Sequence, residues 1–204
     1  MVTSDLAIET GPRETAIVYV DGFNLYKSAL QKRFPHCKWL NIERLATVLL
    51  PGFDVVRVRY FTAEIKPRFD DPRVVSRQRA YLRALTTLQK TTVHLGHVHL
   101  RKAYFPLHPL RLDPVTSRTA TVSVVHPEEK GSDVNLATRL LLDAFENAAQ
   151  TYVLLSNDSD FVAPMTAIKH ELRSNIGIIF PTENVSKRLL ATGPSFTRHI
   201  REGS

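Results

Sequence analysis

The 204-residue chain is 43% hydrophobic, enough to bury one substantial core, yet no apolar run approaches the ~20 residues of a membrane span. Its 27 Lys and Arg outnumber 20 Asp and Glu, a net charge of +7 that favours polyanionic partners through phosphate neutralisation. One cysteine, Cys37, excludes an intramolecular disulfide and a Cys-rich zinc motif, and is expected to be a buried or half-buried side chain in a reducing compartment.

Residues 1–14, MVTSDLAIETGPRE, lack the basic start and apolar centre of a signal peptide. They are expected to form a disordered or loosely attached leader on a soluble, cytoplasmic protein. AIVYVD (Ala16 to Asp21) then predicts a strand running through Gly22 into a helix over NLYKSALQKR. Asn41 is a helix cap for a stretch ending at Pro51-Gly52. DVVRVRYFTA (Asp54 to Ala63) sets Val56, Val58 and Tyr60 against Arg57, Arg59 and Phe61, the period of two of a strand. From Asp71 to Lys90, Val74, Gln78, Tyr81, Leu85 and Leu88 share one face of a basic amphipathic helix.

Thr91 to Arg101 and Arg118 to His126 predict two further strands. Between them Pro106, Pro109 and Pro114 forbid a helix, so an inserted loop or hairpin is expected at about 101–126. Ser132 to Ala149 reads as a helix with Val134, Leu136, Ala137, Leu140, Leu141 and Ala144 inward. TYVLLS is a strand; a helix with Phe161, Met165, Ile168 and Leu172 on one face follows, then the strand NIGIIF. Short elements at Val185 to Ala191 and Phe196 to Ile200 close the chain. Strands alternating with helices predict a single α/β domain with a mainly parallel central sheet and helices on both faces.

In such sheets, sites gather beyond the carboxyl ends of the strands. Asp21 ends the first strand, Asp158 and Asp160 follow TYVLLS, and Asp133 opens the helix after KGSD. Singly, each is an ordinary helix cap. Together they are costly, since two carboxylates ~4 Å apart repel by about 4 kcal/mol at an effective dielectric near 20. A divalent cation removes that cost, and an all-oxygen donor set suits Mg²⁺ or Mn²⁺. His94, His97 and His99 do not make a zinc site, because on a strand His94 points away from the other two.

VDGFNLY, KGSDVNLATRLLLDAF and LLSNDSDFVAPM, in this order, resemble the NYN domain of the PIN-like nuclease superfamily, particularly its bacterial LabA-like branch. The resemblance covers about Ala16 to Ile200 and places a nuclease domain at 15–204. It implies a Rossmann-like fold and Mg²⁺-dependent hydrolysis of RNA phosphodiester bonds. Asp21, Asp133, Asp158 and Asp160 would be metal ligands, with Asn24 helping to place metal or water. Two positions depart from the pattern. Arg139 stands where many relatives carry another aspartate, and Ser156-Asn157 where relatives often have Ser-Gly. Either Arg139 reaches the acidic cluster in place of a second metal, or it points away, being about 240° around the helix from Asp133.

Cations and aromatic faces recur together: Arg68, Arg73, Arg77 and Arg79 with Phe69, and Lys102, Arg111 and Arg118 with Tyr104 and Phe105. Such mixtures hold a backbone while bases stack; Lys130 and Arg139 complete the candidate nucleic-acid surface. For the helix arginines the alternative is a solvated face, and for Tyr104 and Phe105 a small satellite core. The expected activity is that of a metal-dependent endoribonuclease acting on RNA, with DNA as a second candidate substrate and a second copy of the chain as a candidate partner. The rival reading is an RNA-binding or regulatory module with a degenerate site. A phosphatase is disfavoured, because VDGFN lacks the nucleophile-plus-acid pair of a DxDxT motif.

Overall fold

A computed structural model describes residues 12–67 and 69–201; the expected leader falls largely outside them, as does Arg68. β1 (Glu14–Asp21) begins two residues before the expected Ala16. It runs directly into α1 (Gly22–Leu25), which continues as a π-helical turn over Tyr26–Leu30. α2 (Ile42–Leu49) is capped by the Asn41 side chain, which accepts the Arg44 N–H. β2 (Phe53–Ala63), α3 (Val74–Leu85), β3 (Thr91–Pro106) and β4 (Thr121–Lys130) follow. The last third is α4 (Ser132–Phe145), β5 (Thr151–Leu155), a 3₁₀ turn at Ser159–Phe161, α5 (Val162–His170), β6 (Asn175–Phe180), α6 (Lys187–Leu190) and β7 (Phe196–His199).

The seven strands form one sheet in the order β4-β3-β2-β1-β5-β6-β7, in which only the β3–β4 pair is antiparallel. Alternate residues of β1 feed two cores. Ala16, Val18 and Val20 pack with Leu25, Leu45, Leu49 and Leu85 from α1 to α3. Ile17 and Tyr19 pack on the other face with Leu136 and Leu140 of α4 and Met165 and Ile168 of α5. Helices therefore cover both faces, as a central parallel strand requires. No helix among the described residues is long and apolar enough to cross a membrane.

Several expectations need correction. The strict alternation in β2 fails because the pairing with β1 slips between Ala16 and Ile17, skipping Val56. Val56 falls in that bulge and is left 36% exposed. From Arg57 on the alternation holds, and Arg59 at 5% and Phe61 at 1% are buried because α4 covers the face opposite Val58 and Tyr60. Val134 is 68% exposed, since it lies about 200° around α4 from Leu136. α4 ends at Phe145 rather than Ala149.

The segment at 101–126 is the outer part of a hairpin whose strands begin well before it and end beyond it. β3 pairs with β2 only from Thr91 to Gly96, then pairs with β4 from His97 to Pro106. At ~3.3 Å per residue those ten residues carry a two-stranded arm about 30 Å past the carboxyl end of β2. Its tip is closed by residues 107–120, with a bridge between Leu112 and Thr119. Tyr104 and Phe105 lie on this arm at 63% and 43% exposure, so they form no satellite core. Phe105 instead meets His126 edge-on, and Lys102 lies over the Tyr104 ring.

Candidate active site

Asp21 is the last residue of β1, and Val20 beside it pairs with Leu155, the last residue of β5. Asp21 and the Ser156–Asp160 segment consequently leave the sheet at the same edge. One Asp21 carboxylate oxygen caps α1 by accepting the Asn24 N–H at 2.9 Å; the other accepts the Ser156 hydroxyl at 3.0 Å. Ser156 Oγ in turn accepts the Asp158 N–H at 3.0 Å, and Asp158 accepts the Asp160 N–H at 3.0 Å. Asn24 ties the two junctions together, its side-chain oxygen accepting the Asn157 N–H at 3.1 Å. Asn157 reaches further, donating to the Asn184 carbonyl and accepting the Ser186 N–H. Capping and clustering thus coexist at Asp21 and Asp158.

Gly22 makes this junction possible. A Cβ there would lie 2.7 Å from the Tyr60 ring and 2.8 Å from the Phe61 carbonyl, too close for any side chain.

Asp133 arrives from the other side, in the first turn of α4. Its carboxyl is pushed up to about 6, first by burial and then by the negative charges of Asp21, Glu129, Asp158 and Asp160. Burial also raises Asp21, opposed by its hydrogen bonds from Asn24 and Ser156 and reinforced by the charge of Asp158. The four aspartates are electrostatic neighbours. Among the described residues no three His, Cys, Asp or Glu side chains form a closed metal-ligand set.

Glu129 was not anticipated. It sits at the foot of the arm, where its Oε1 accepts the Ser132 N–H at 2.9 Å and so caps α4. Ser132 Oγ, Lys130 O and Glu129 Oε1 all lie within 2.9 Å of where a Cβ on Gly96 would stand, so β4 can close on β3 only past a glycine. The only signal in the sequence is the spacing in EEKGSD, a carboxylate four residues before Asp133; that β4 runs on to Lys130 and brings it to the site is a finding of the structure.

Arg139 points away from the cluster, the second of the two expectations, but to a buried carboxylate rather than to solvent. Its guanidinium meets Asp143 at 2.8 Å, while the charges acting on Asp133 are carboxylates. Asp143 is fully buried and also receives Arg59 Nε at 2.6 Å, Arg59 NH2 at 3.0 Å and the Tyr19 hydroxyl at 2.6 Å. Burial, then the Asp143 bond, raises the Tyr19 hydroxyl far above its ordinary range. His94, stacked on Phe61 at 4.5 Å, is held below its usual range by burial and by Arg59 and Arg139.

The remaining basic candidates are spread widely. Arg77 pairs with Asp71 and Arg79 with Glu64 on the exposed side of α3, while Arg73 precedes that helix. Arg111 and Arg118 are exposed at the arm tip, and Lys130 pairs with Glu128 at 2.6 Å.

The chain is 27% identical over 207 residues to 6-hydroxy-3-succinoylpyridine 3-monooxygenase HspA of Pseudomonas putida (strain DSM 28022 / S16), across 88% of this chain and 63% of that protein. It therefore spans somewhat under two thirds of that curated relative. Its fold is similar to the crystal structure of a protein of unknown function, VPA0982 from Vibrio parahaemolyticus RIMD 2210633, with a TM-score of 0.56 and 17% identity over 98% of each chain. The NYN domain family matches residues 15–199, from the first residues of β1 to the end of β7. The chain belongs to the NYN domain family, part of the PIN-like nuclease superfamily.

Proposed function

We propose that this chain is a metal-dependent endoribonuclease hydrolysing RNA phosphodiester bonds at its aspartate cluster. One observation carries the reading: Asp133 is surrounded by the charges of Asp21, Glu129, Asp158 and Asp160 and holds its proton up to about 6. A site that concentrates negative charge without a neutralising side chain is built for a cation that comes from outside. Asp21, Asp133, Asp158 and Asp160 would hold Mg²⁺ or Mn²⁺, which supplies activation of water and neutralisation of charge on the leaving oxygen. Ser156 and the backbone at Asn24 fix the Asp21 carboxylate. Asn24 and Asn157 keep the β1 and β5 junctions in register. Exposed cations and rings on α3 and the arm would hold the nucleic acid.

The relative named for a monooxygenase supplies a second reading, oxidation of a small heteroaromatic substrate at the same place. The donor set favours hydrolysis, since the charges acting on Asp133 are all carboxylates and hard oxygen donors suit Mg²⁺ and Mn²⁺. Purified protein incubated with end-labelled RNA and DNA, with Mg²⁺, Mn²⁺ or chelator, tests the proposal. Metal-dependent cleavage of RNA within the strand is expected. Intact RNA under all conditions, with tight metal-independent binding, would instead establish the regulatory module.

A further inference from the structure

The outer side of the arm points to a partner. β4 ends the sheet, and among the described residues no strand pairs with its free edge. The other edge, β7, is four residues long, whereas β4 is ten. An exposed strand of this length is a template for another strand unless charges or prolines blunt it. Residues 119–126, TATVSVVH, contain no Asp, Glu, Lys or Arg. Val122 is 43% and Val125 71% exposed, beside Phe105 at 43% and Tyr104 at 63%. Arg118 precedes this stretch and Pro127, which has no N–H to give, follows it.

We propose that the chain forms a two-fold symmetric dimer in which the β4 edges of two copies pair antiparallel about Ser123, joining the two sheets. The sequence is complementary to itself in that register. Val122 of one copy faces Val124 of the other, and both belong to the face that carries Phe105 and Ala103. Thr121 faces Val125 on the opposite side. Arg118 falls opposite Glu128, which Arg101 and Lys130 already hold at 2.9 and 2.6 Å, so opposite charges meet at each end of the paired segment. A nucleic acid is the poorer occupant, because this stretch offers no cation to a phosphate. A symmetric interface uses the same patch twice, so the Arg118–Glu128 contact occurs twice per dimer.

Sedimentation equilibrium and disulfide trapping test the dimer. Opposed antiparallel residues have Cα atoms ~4.5–5.5 Å apart, within reach of a disulfide. Ser123→Cys in a Cys37→Ser background should give a covalent dimer on mild oxidation, whereas Val115→Cys at the arm tip should not. Arg118→Glu should weaken association about tenfold or more, and Arg118→Glu with Glu128→Arg should restore it. A chain that stays monomeric at roughly 100 µM, or a dimer that neither traps through Ser123→Cys nor responds to charge reversal, overturns the proposal.

Discussion

α4 carries two aspartates ten residues apart, and their surroundings are opposite. Asp143 is wholly buried, yet two guanidiniums and a hydroxyl converge on it. Asp133 is only half-buried, yet the charges acting on it are four other carboxylates. Burial alone therefore does not distinguish a structural acid from a chemical one; the sign of the neighbouring charge does. Asp143 has its counter-ions within the fold and clamps α4 to β1 and β2. The charges that act most on Asp133 are of its own sign, which is the setting that the proposed cation would relieve.

The most damaging test falls on the uncompensated side. Asp158→Asn keeps an oxygen to accept the Asp160 N–H but removes a charge. Metal-dependent cleavage should drop on the order of a hundredfold or more with an unchanged melting temperature; wild-type rates would remove Asp158 from the chemistry. On the compensated side, Asp143→Ala leaves Arg59 buried beside Tyr19 and should cost about 3–5 kcal/mol in urea unfolding. A loss below about 1 kcal/mol would mean that the clamp does not hold α4.

A smaller effect at Asp133 is read by pH. The folded Asp133 carboxyl is raised above the unfolded value of 3.8 to about 6, so the native state binds more protons between those values. Stability contributed by that proton is present at low pH and falls as pH rises from about 4 to 6. Cation binding should strengthen over the same interval as the proton leaves. Carboxyl-carbon NMR of Asp133 should show a midpoint near 6, shifted down by Mg²⁺; a midpoint near 4 would remove burial and the neighbouring carboxylates as influences on Asp133.

Arg139→Ala should cost less than Asp143→Ala, about 1–2 kcal/mol, because Arg59 still neutralises the carboxylate. Arg139→Asp sets two carboxylates together and should destabilise further without adding Mn²⁺ sites in calorimetry; an added site would show that position 139 reaches the cluster. The smallest effect is expected at Arg77, whose pairing with Asp71 is exposed. Arg77→Glu should leave stability unchanged and lower the salt dependence of RNA affinity by roughly one in log–log slope.

The order of strands and helices was legible because each element announces itself locally. Pro51-Gly52 stops α2, Asn41 caps it, and the apolar runs of β1, β5 and β6 require cover on both faces. The carboxylates at the β1 and β5 junctions were legible for the same reason, each lying where a strand yields to a helix. Contacts that depend on tertiary register were hidden. Arg59 lies on the face of β2 opposite Val58 and Tyr60, as the period of two has it, but that this face is also covered, by Asp143 of α4, depends on tertiary packing. Asp143 follows Leu136 by seven positions and so shares its buried stripe, but which partners meet it there is set by β1 and β2, far off in the sequence. Glu129 needed knowledge that the arm returns beside α4.

Gly96 marks the point where β3 exchanges one neighbour for another, with β2 before it and β4 after it. The arm is thus a module whose length is separable from the domain that carries it. Matched removal of opposing residues, such as Ala103 with Val124 and Tyr104 with Ser123, shortens it while every remaining pair keeps its face. Loss of a single residue between Thr121 and Glu128 is different, because it slips the ladder by one on one side of the gap and turns the residues there to the opposite face. The limb can therefore be lengthened or trimmed in paired steps, while its root is fixed by the close approach at Gly96 and the Glu129 bond to the Ser132 N–H.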